Sequence, residues 1–164
     1  MQRASESALY TAFTTSGAVR TASVDFRIRT TRTSELIDVT DHVSAAVAEA
    51  DIEEGLTLVS VPHTTCAVIV NEDEPGFTAD LRRSLESLAP TGAHYKHDDA
   101  PHDGEDEEPN GYAHVRAAFL SSPSVTLPIR KGALALGRWQ RVFLVELDRA
   151  RPRMLQVTLF GRSA

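Results

Sequence analysis

The sequence predicts an α+β fold in which largely antiparallel sheets carry a few helices. Three observations lead there. Apolar and polar residues alternate toward both ends of the chain, at Val24, Phe26 and Ile28 and again at Val125, Leu127 and Ile129, the period of a half-buried strand. Helical spacing is confined to the middle, in Val43, Ala46, Val47 and Ala50 and in Phe77, Leu81, Leu85 and Leu88. No strand–helix–strand repeat and no glycine-rich phosphate loop interrupts that arrangement.

In order, residues 1–20 are rich in Ser, Thr and Ala without a period and read as a flexible extension, leaving 21–164 as one domain. The strand around Val24–Ile28 takes Glu35–Thr40 as its expected hairpin partner. Thr40 or Asp41 can cap the first helix, and Gly55 marks its exit. Leu56–Val61 and Ala67–Val70 read as neighbouring strands joined by a tight turn at Pro62-His63. Pro75-Gly76 opens the second helix and Pro90 stops it. Residues 91–111 have the character of a loop. A short helix at about 111–120 follows, with Val115, Ala118 and Phe119 facing inward. The last third reads as a β meander: Arg130-Lys131-Gly132 turns the chain into Ala133–Leu136, and Arg141–Leu147 and Arg153–Phe160 complete it.

At 164 residues with 41% hydrophobic content the chain suffices for one buried core. No apolar run approaches the roughly 18 residues that span a bilayer, and the N-terminal stretch lacks an apolar signal region. A cytoplasmic protein without membrane contact is expected. The net charge of −6 and the absence of a basic patch argue against nucleic acid as a partner. One cysteine, Cys66, excludes an intrachain disulfide and a multi-cysteine zinc site. In an apolar strand it reads as a small core residue rather than a nucleophile.

Four of the six histidines lie between His94 and His114. Neutral imidazole is the commonest metal ligand and catalytic zinc sites often use three protein ligands, so His97 in the loop, His114 on the short helix and His63 at a strand end form a candidate metal set. His63-Thr64-Thr65 offers hydroxyls and backbone N–H groups suited to phosphate oxygens, and Asn71 with Glu72 forms a second polar group at the other end of its strand. Gly137-Arg138-Trp139-Gln140 offers an indole and an amide as a wall for a flat heterocycle. Glu146 shares a strand face with Val142 and Leu144; if buried, it requires an arginine or a metal-bound histidine as partner. The run Asp103–Glu108 lacks the pattern of a calcium loop and reads as a solvated acidic loop.

Read in order, His63-Thr64-Thr65, Asn71-Glu72, Asp80-Leu81-Arg82-Arg83, Tyr95-Lys96-His97-Asp98-Asp99, Ala113-His114-Val115, Leu127-Pro128-Ile129-Arg130, Leu136-Gly137-Arg138-Trp139-Gln140 and Glu146 resemble the motifs of the YjbQ family. The resemblance implies an antiparallel β-sandwich with flanking helices, a homotrimer, and a secondary thiamine-phosphate synthase activity. That reaction couples hydroxymethylpyrimidine pyrophosphate to thiazole phosphate and releases pyrophosphate. It further implies His63, His97 and His114 as ligands of a divalent ion, zinc for the imidazoles or magnesium for the pyrophosphate. Glu72, Arg130 and Glu146 are the catalytic candidates. Thr64, Thr65, Asn71, Trp139 and Gln140 are the candidates for contact with a small phosphorylated metabolite. A metal-dependent hydrolase and a non-catalytic trimeric binding protein are the alternatives. Two departures from the family pattern stand out: the long acidic segment between Asp99 and Ala113, and Cys66 where serine or alanine is usual.

Overall fold

In the computed structural model, residues 19–99, 108–120 and 123–163 are described. Along the chain run β1 (Val19–Arg29), β2 (Glu35–Asp38), α1 (Thr40–Glu49), β3 (Glu54–Ser60), β4 (Cys66–Glu72), α2 (Pro75–Leu88), a 3-10 turn (Lys96–Asp99), α3 (Gly111–Phe119), β5 (Ser124–Arg130), β6 (Ala133–Leu134), β7 (Gln140–Glu146) and β8 (Pro152–Arg162). The strands form two antiparallel sheets, one ordered β1-β8-β3-β5-β6 and the other β2-β7-β4. The expected extension over 1–20 lies outside the described residues except for Val19 and Arg20, which belong to β1. The acidic run is likewise outside them apart from Glu108.

The two sheets face each other across one core. Val59, Ile129, Leu155, Val157 and Leu159 from the large sheet meet Val68, Val142 and Leu144 from the small one, and α1 adds Val43, Ala46 and Val47. The opposite face of the small sheet packs Ala67, Phe143 and Val145 against Leu85 of α2 and Tyr112 and Ala113 of α3. β7 is therefore covered on both faces, which is why its burial is continuous from Val142 through Asp148 rather than alternating. No helix among the described residues is long and apolar enough to cross a membrane.

Several local expectations give way to tertiary pairing. β1 is not the hairpin partner of β2: it pairs along its whole length with β8, while β2 pairs with β7 in the other sheet. Sequence proximity favours the hairpin, but the long β1–β8 register satisfies far more backbone groups. β3 and β4 are not neighbours either, because the chain crosses between the sheets at 61–65. The C-terminal meander is broken in the same way, with β7 leaving the large sheet for the small one. Its first turn does form as expected. Lys131 and Gly132 both have positive φ, at 52° and 72°, as a two-residue hairpin loop requires.

The first helix is started by Asp38, whose Oδ1 accepts from the Thr40 N–H at 2.9 Å, rather than by Thr40 or Asp41. The Thr40 hydroxyl instead accepts from the Val142 N–H at 2.8 Å. On α3 the inward face is Tyr112, Ala113 and Arg116, with Ala118 exposed and Phe119 64% exposed. The phase is set by Arg116. Its guanidinium is buried because it closes the end of α2, donating to the Ala89 carbonyl at 2.8 and 3.0 Å and to Glu86. Gly161 permits the close approach of β8 to β3: a Cβ there would lie 2.4 Å from the Glu54 carbonyl oxygen and 2.5 Å from Ile52.

Candidate functional site

The crossing at 61–65 is anchored at both ends. The Val61 N–H donates to the Pro123 carbonyl at 2.8 Å and the Leu147 N–H donates to the Thr65 carbonyl at 3.1 Å. Between them His63 is half-buried, and its Nε2 accepts from the Met154 N–H of β8 at 2.9 Å. That bond assigns the ring proton to Nδ1. Burial, reinforced by the positive charge of Arg153 and only partly opposed by Glu146, holds His63 below the ordinary imidazole range. Both features favour a neutral ring.

Behind the crossing stands a buried ion pair. Glu146 is fully buried and accepts two hydrogen bonds from Arg153, each 2.6 Å. The Thr30 hydroxyl and the Asp148 N–H each donate to the same carboxylate at 3.0 Å. Arg153 also donates to the Thr65 hydroxyl at 3.2 Å, which ties the pair to the crossing. Charge-assisted bonds from every side are what a carboxylate needs in the core. The arginine alternative for the partner of Glu146 is thus the one realised. Beside it, Arg151 donates to Asp148 at 2.6 Å, and Asn110 donates to the same Asp148 oxygen at 3.3 Å. Burial and the Glu146 charge push the Cys66 thiol up to about 12, which removes the thiolate a nucleophile requires.

His97 and His114 are brought together by a helix cap. Asp98 in the 3-10 turn accepts from the N–H groups of Asn110 and Gly111 at 3.0 and 2.8 Å, satisfying the first orphan donors of α3. Gly111 leaves room for this docking, since a Cβ there would lie 2.4 Å from Cβ of Tyr95. The neighbouring His97 then lies against His114, one turn into the helix, with ring centroids 4.3 Å apart and planes inclined by 47°.

These parts converge on one polar cleft of about 400 Å³, lined by Pro62, His63, Thr64, Thr65, His97, Asn110, His114, Arg151 and Arg153. A second cleft of about 630 Å³ adjoins it, sharing Pro62, His63, Thr64 and His114 and continuing over Val61, Cys66, Ala117, Ala118 and Pro123. Five of the expected site residues, His63, Thr64, Thr65, His97 and His114, thus meet at one place, and Glu146 supports it from behind.

The others lie elsewhere in the protomer. Cys66 pairs with Glu146 and Glu72 with Gln140, so Asn71, Glu72, Trp139 and Gln140 sit at the far end of the small sheet, about 20 Å along the strands. Asn71 and Glu72 are exposed, and the Gln140 amide oxygen accepts from the Gly137 N–H at 2.7 Å. Trp139 is 62% exposed, with the Arg138 guanidinium 4.7 Å from its ring centre. Arg130 pairs with Glu54 while Ser124 pairs with Ser60, which puts Arg130 at the end of β5 away from the crossing. Arg151, Arg153 and Asn110 line the cleft without having been expected there. The two arginines were detectable, because a buried Glu146 demands an arginine and Arg149-Ala150-Arg151-Pro152-Arg153 follows it directly.

The donor set does not fit a three-ligand metal centre as folded. His97 and His114 are adjacent, but the Nε2 lone pair of His63 is directed at the Met154 N–H. Among the described residues no group of three or more His, Cys, Asp or Glu side chains is arranged around one point.

Fold and cleft together define a single-domain α+β protein with a histidine- and arginine-lined cleft at one end of a sandwich. Residues 24–162 match the family described as UPF0047 protein YjbQ-like, and the chain belongs to that family. A UPF0047 protein of Archaeoglobus fulgidus is 39% identical over 134 residues, which is 82% of this chain and 98% of that one. YugU of Bacillus subtilis is 29% identical over 136 residues, 82% of this chain and 96% of its own length. Among solved structures, a YbjQ-like protein of unknown function from Sulfolobus solfataricus superposes with a TM-score of 0.80. Its sequence is 33% identical, and the match covers 88% of this chain and 100% of that one.

Proposed function

We propose that the polar cleft binds the phosphate of a small phosphorylated metabolite and supports a transferase reaction in which pyrophosphate departs. The observation that carries the proposal is the convergence of four separate chain segments, 62–65, His97, Asn110 with His114, and Arg151 with Arg153, on one cleft. Hydroxyls, imidazoles and guanidinium N–H groups are the donors that phosphate oxygens take.

The arginines, threonines and imidazoles of the cleft suit neutralisation of a departing anion. Its two neighbouring carboxylates, Glu146 and Asp148, are both taken by arginines, so neither is available as a general base. Loss of pyrophosphate from an activated carbon needs neutralisation of the leaving charge more than proton removal. The coupling of hydroxymethylpyrimidine pyrophosphate with thiazole phosphate meets that description: the carbon–oxygen bond breaks, a carbon–nitrogen bond forms at the thiazole ring, and pyrophosphate leaves with the bonding electrons. No step is routed through a metal, since the imidazoles do not converge as ligands. The same commitment of the carboxylates also supports a second reading, a binding protein without turnover.

Self-association completes the proposal. Leu56 and Phe160 are directly opposed in register on the outer face of the large sheet, 50% and 54% exposed, an apolar face suited to further copies of the chain.

Calorimetric titration with inorganic pyrophosphate tests the site, and release of pyrophosphate from the two thiamine precursors tests the reaction. His97→Ala and His114→Ala are expected to weaken pyrophosphate binding at least about ten-fold. Binding that both variants leave intact would remove the site. Binding without turnover would establish the second reading, and binding abolished by a chelator and restored by zinc would return a metal to the centre.

A further inference from the structure

Three residues that line the polar cleft, His63, Thr65 and Arg151, each have one side already occupied by the protein. Nε2 of His63 accepts from the Met154 N–H at 2.9 Å, so the ring proton sits on Nδ1, which has no acceptor among the described residues. The Thr65 hydroxyl accepts from Arg153 at 3.2 Å, which turns its own proton away from the guanidinium. Arg151 is held through one amino nitrogen on Asp148 at 2.6 Å, and its other side-chain N–H groups have no acceptor among the described residues. Its side chain is 37% exposed. The carboxylates stand behind this group. Glu146 is engaged by Arg153 and Thr30, Asp148 by Arg151 and Asn110, and among the described residues no carboxylate lines the cleft. Protons are therefore offered to a ligand, and no negative charge is there to receive one. A tetrahedral anion without a proton needs donors alone, whereas one that carries a proton needs an acceptor as well. A carboxylate in the cleft would separate phosphate from sulfate, by taking the phosphate proton and repelling sulfate.

We propose that the cleft selects a doubly charged tetrahedral anion by shape and charge alone, so that sulfate is taken as readily as a phosphate group and a protonated phosphate is refused. The inference rests on the phosphate-binding reading above and adds the protonation state of the bound group. His63, Thr65 and Arg151 set that state, because the protein has left each of them only protons to give. Sulfate is then a competitor for the ligand of this cleft.

Calorimetric titration with sulfate and with methyl phosphate, at two pH values, tests this. At about pH 7.5 methyl phosphate is doubly charged, and the two affinities are expected within about ten-fold of each other. At about pH 5 only about a tenth of it remains doubly charged, so the ratio of sulfate to methyl phosphate affinity is expected to rise about ten-fold. Protonation of His63, His97, His114, Glu146 or Asp148 acts on both anions and cancels in that ratio. Thr64→Asp puts a carboxylate on an exposed position of the cleft and is expected to weaken sulfate about ten-fold or more and to abolish the rise. Thr64→Asn, of the same size without the charge, is expected to leave sulfate within about two-fold. Sulfate more than about ten-fold weaker than methyl phosphate at the higher pH overturns the inference while the phosphate reading stands. A ratio that does not rise at the lower pH in the unmodified protein overturns it too. Failure of both anions to bind takes the phosphate reading down with it.

Discussion

The two ends of the small sheet share strands and neighbours yet differ in almost every property that matters for chemistry. At the crossing end, the buried carboxylates of Glu146 and Asp148 are answered by Arg153 and Arg151, and the half-buried, neutral His63 accepts from a backbone N–H. At the far end, Asn71, Glu72 and Trp139 are exposed, and the polar contacts there include the local Gly137–Gln140 bond and the part-exposed Arg141–Asp38 ion pair at 2.7 Å. Burial fixes side chains in position, and a fixed constellation can recognise a ligand without ordering itself first. Motif residues at both ends look equally functional on paper. Among the described residues, the fully buried ion pair stands at the crossing end.

The sharpest way to break this comparison is to remove one partner at the crossing end. Glu146→Ala leaves Arg153 buried without its counter-charge and is expected to cost about 3–5 kcal/mol in urea unfolding. Glu72→Ala at the far end should stay within about 0.5 kcal/mol. Comparable losses at the two positions would erase the distinction. Next in size, Gly161→Ala forces a methyl against the Glu54 carbonyl and Ile52, with an expected loss of about 1–3 kcal/mol by thermal melting. This tests whether the β8–β3 approach at Gly161 is as tight as described.

Asp98→Ala is expected to cost about 1 kcal/mol through the lost cap of α3. Its more telling effect is on the imidazole pair: ring-current shifts between His97 and His114 should vanish in the NMR spectrum, and pyrophosphate affinity should fall. Retention of those shifts would mean that the cap does not position the ring. The smallest effect concerns pH. Because His63 titrates below the ordinary imidazole range, the folded state resists its protonation more than the unfolded chain does. Its stabilising contribution is complete above the unfolded value of about 6.5 and is lost as pH falls through the folded value. His63→Gln should flatten the stability profile in that window, and an unchanged profile would dissociate the effect from His63.

Much of the architecture was legible because it rests on local period. Alternation at Val24–Ile28 and Val125–Ile129 marks strands, and the Lys131-Gly132 turn carries its own conformational signal. Pairing was not legible. Nothing near Val24 says that its partner is Val157, 133 residues away, since register depends on which faces bury together. The phase of α3 was misread for a related reason: an apolar count favours Phe119 inside, whereas the structure buries Arg116 to close another helix. At the site, the histidine and threonine motifs come together along one cleft. Asn71 lies at the strand end opposite His63, where the sequence order places it, while the positions of Trp139 and Arg130 depend on partners from distant segments, which sequence order does not give.

Glu146 belongs at once to the most enclosed strand and to the network behind the cleft. The arrangement makes ligand affinity a gauge of complete maturation: until β7 and β8 are docked, Arg153 has no anchor and Thr65 no donor. A chain that has collapsed but not finished pairing would therefore be blind to its ligand, and the ligand in turn would select the finished conformation from any less ordered competitors.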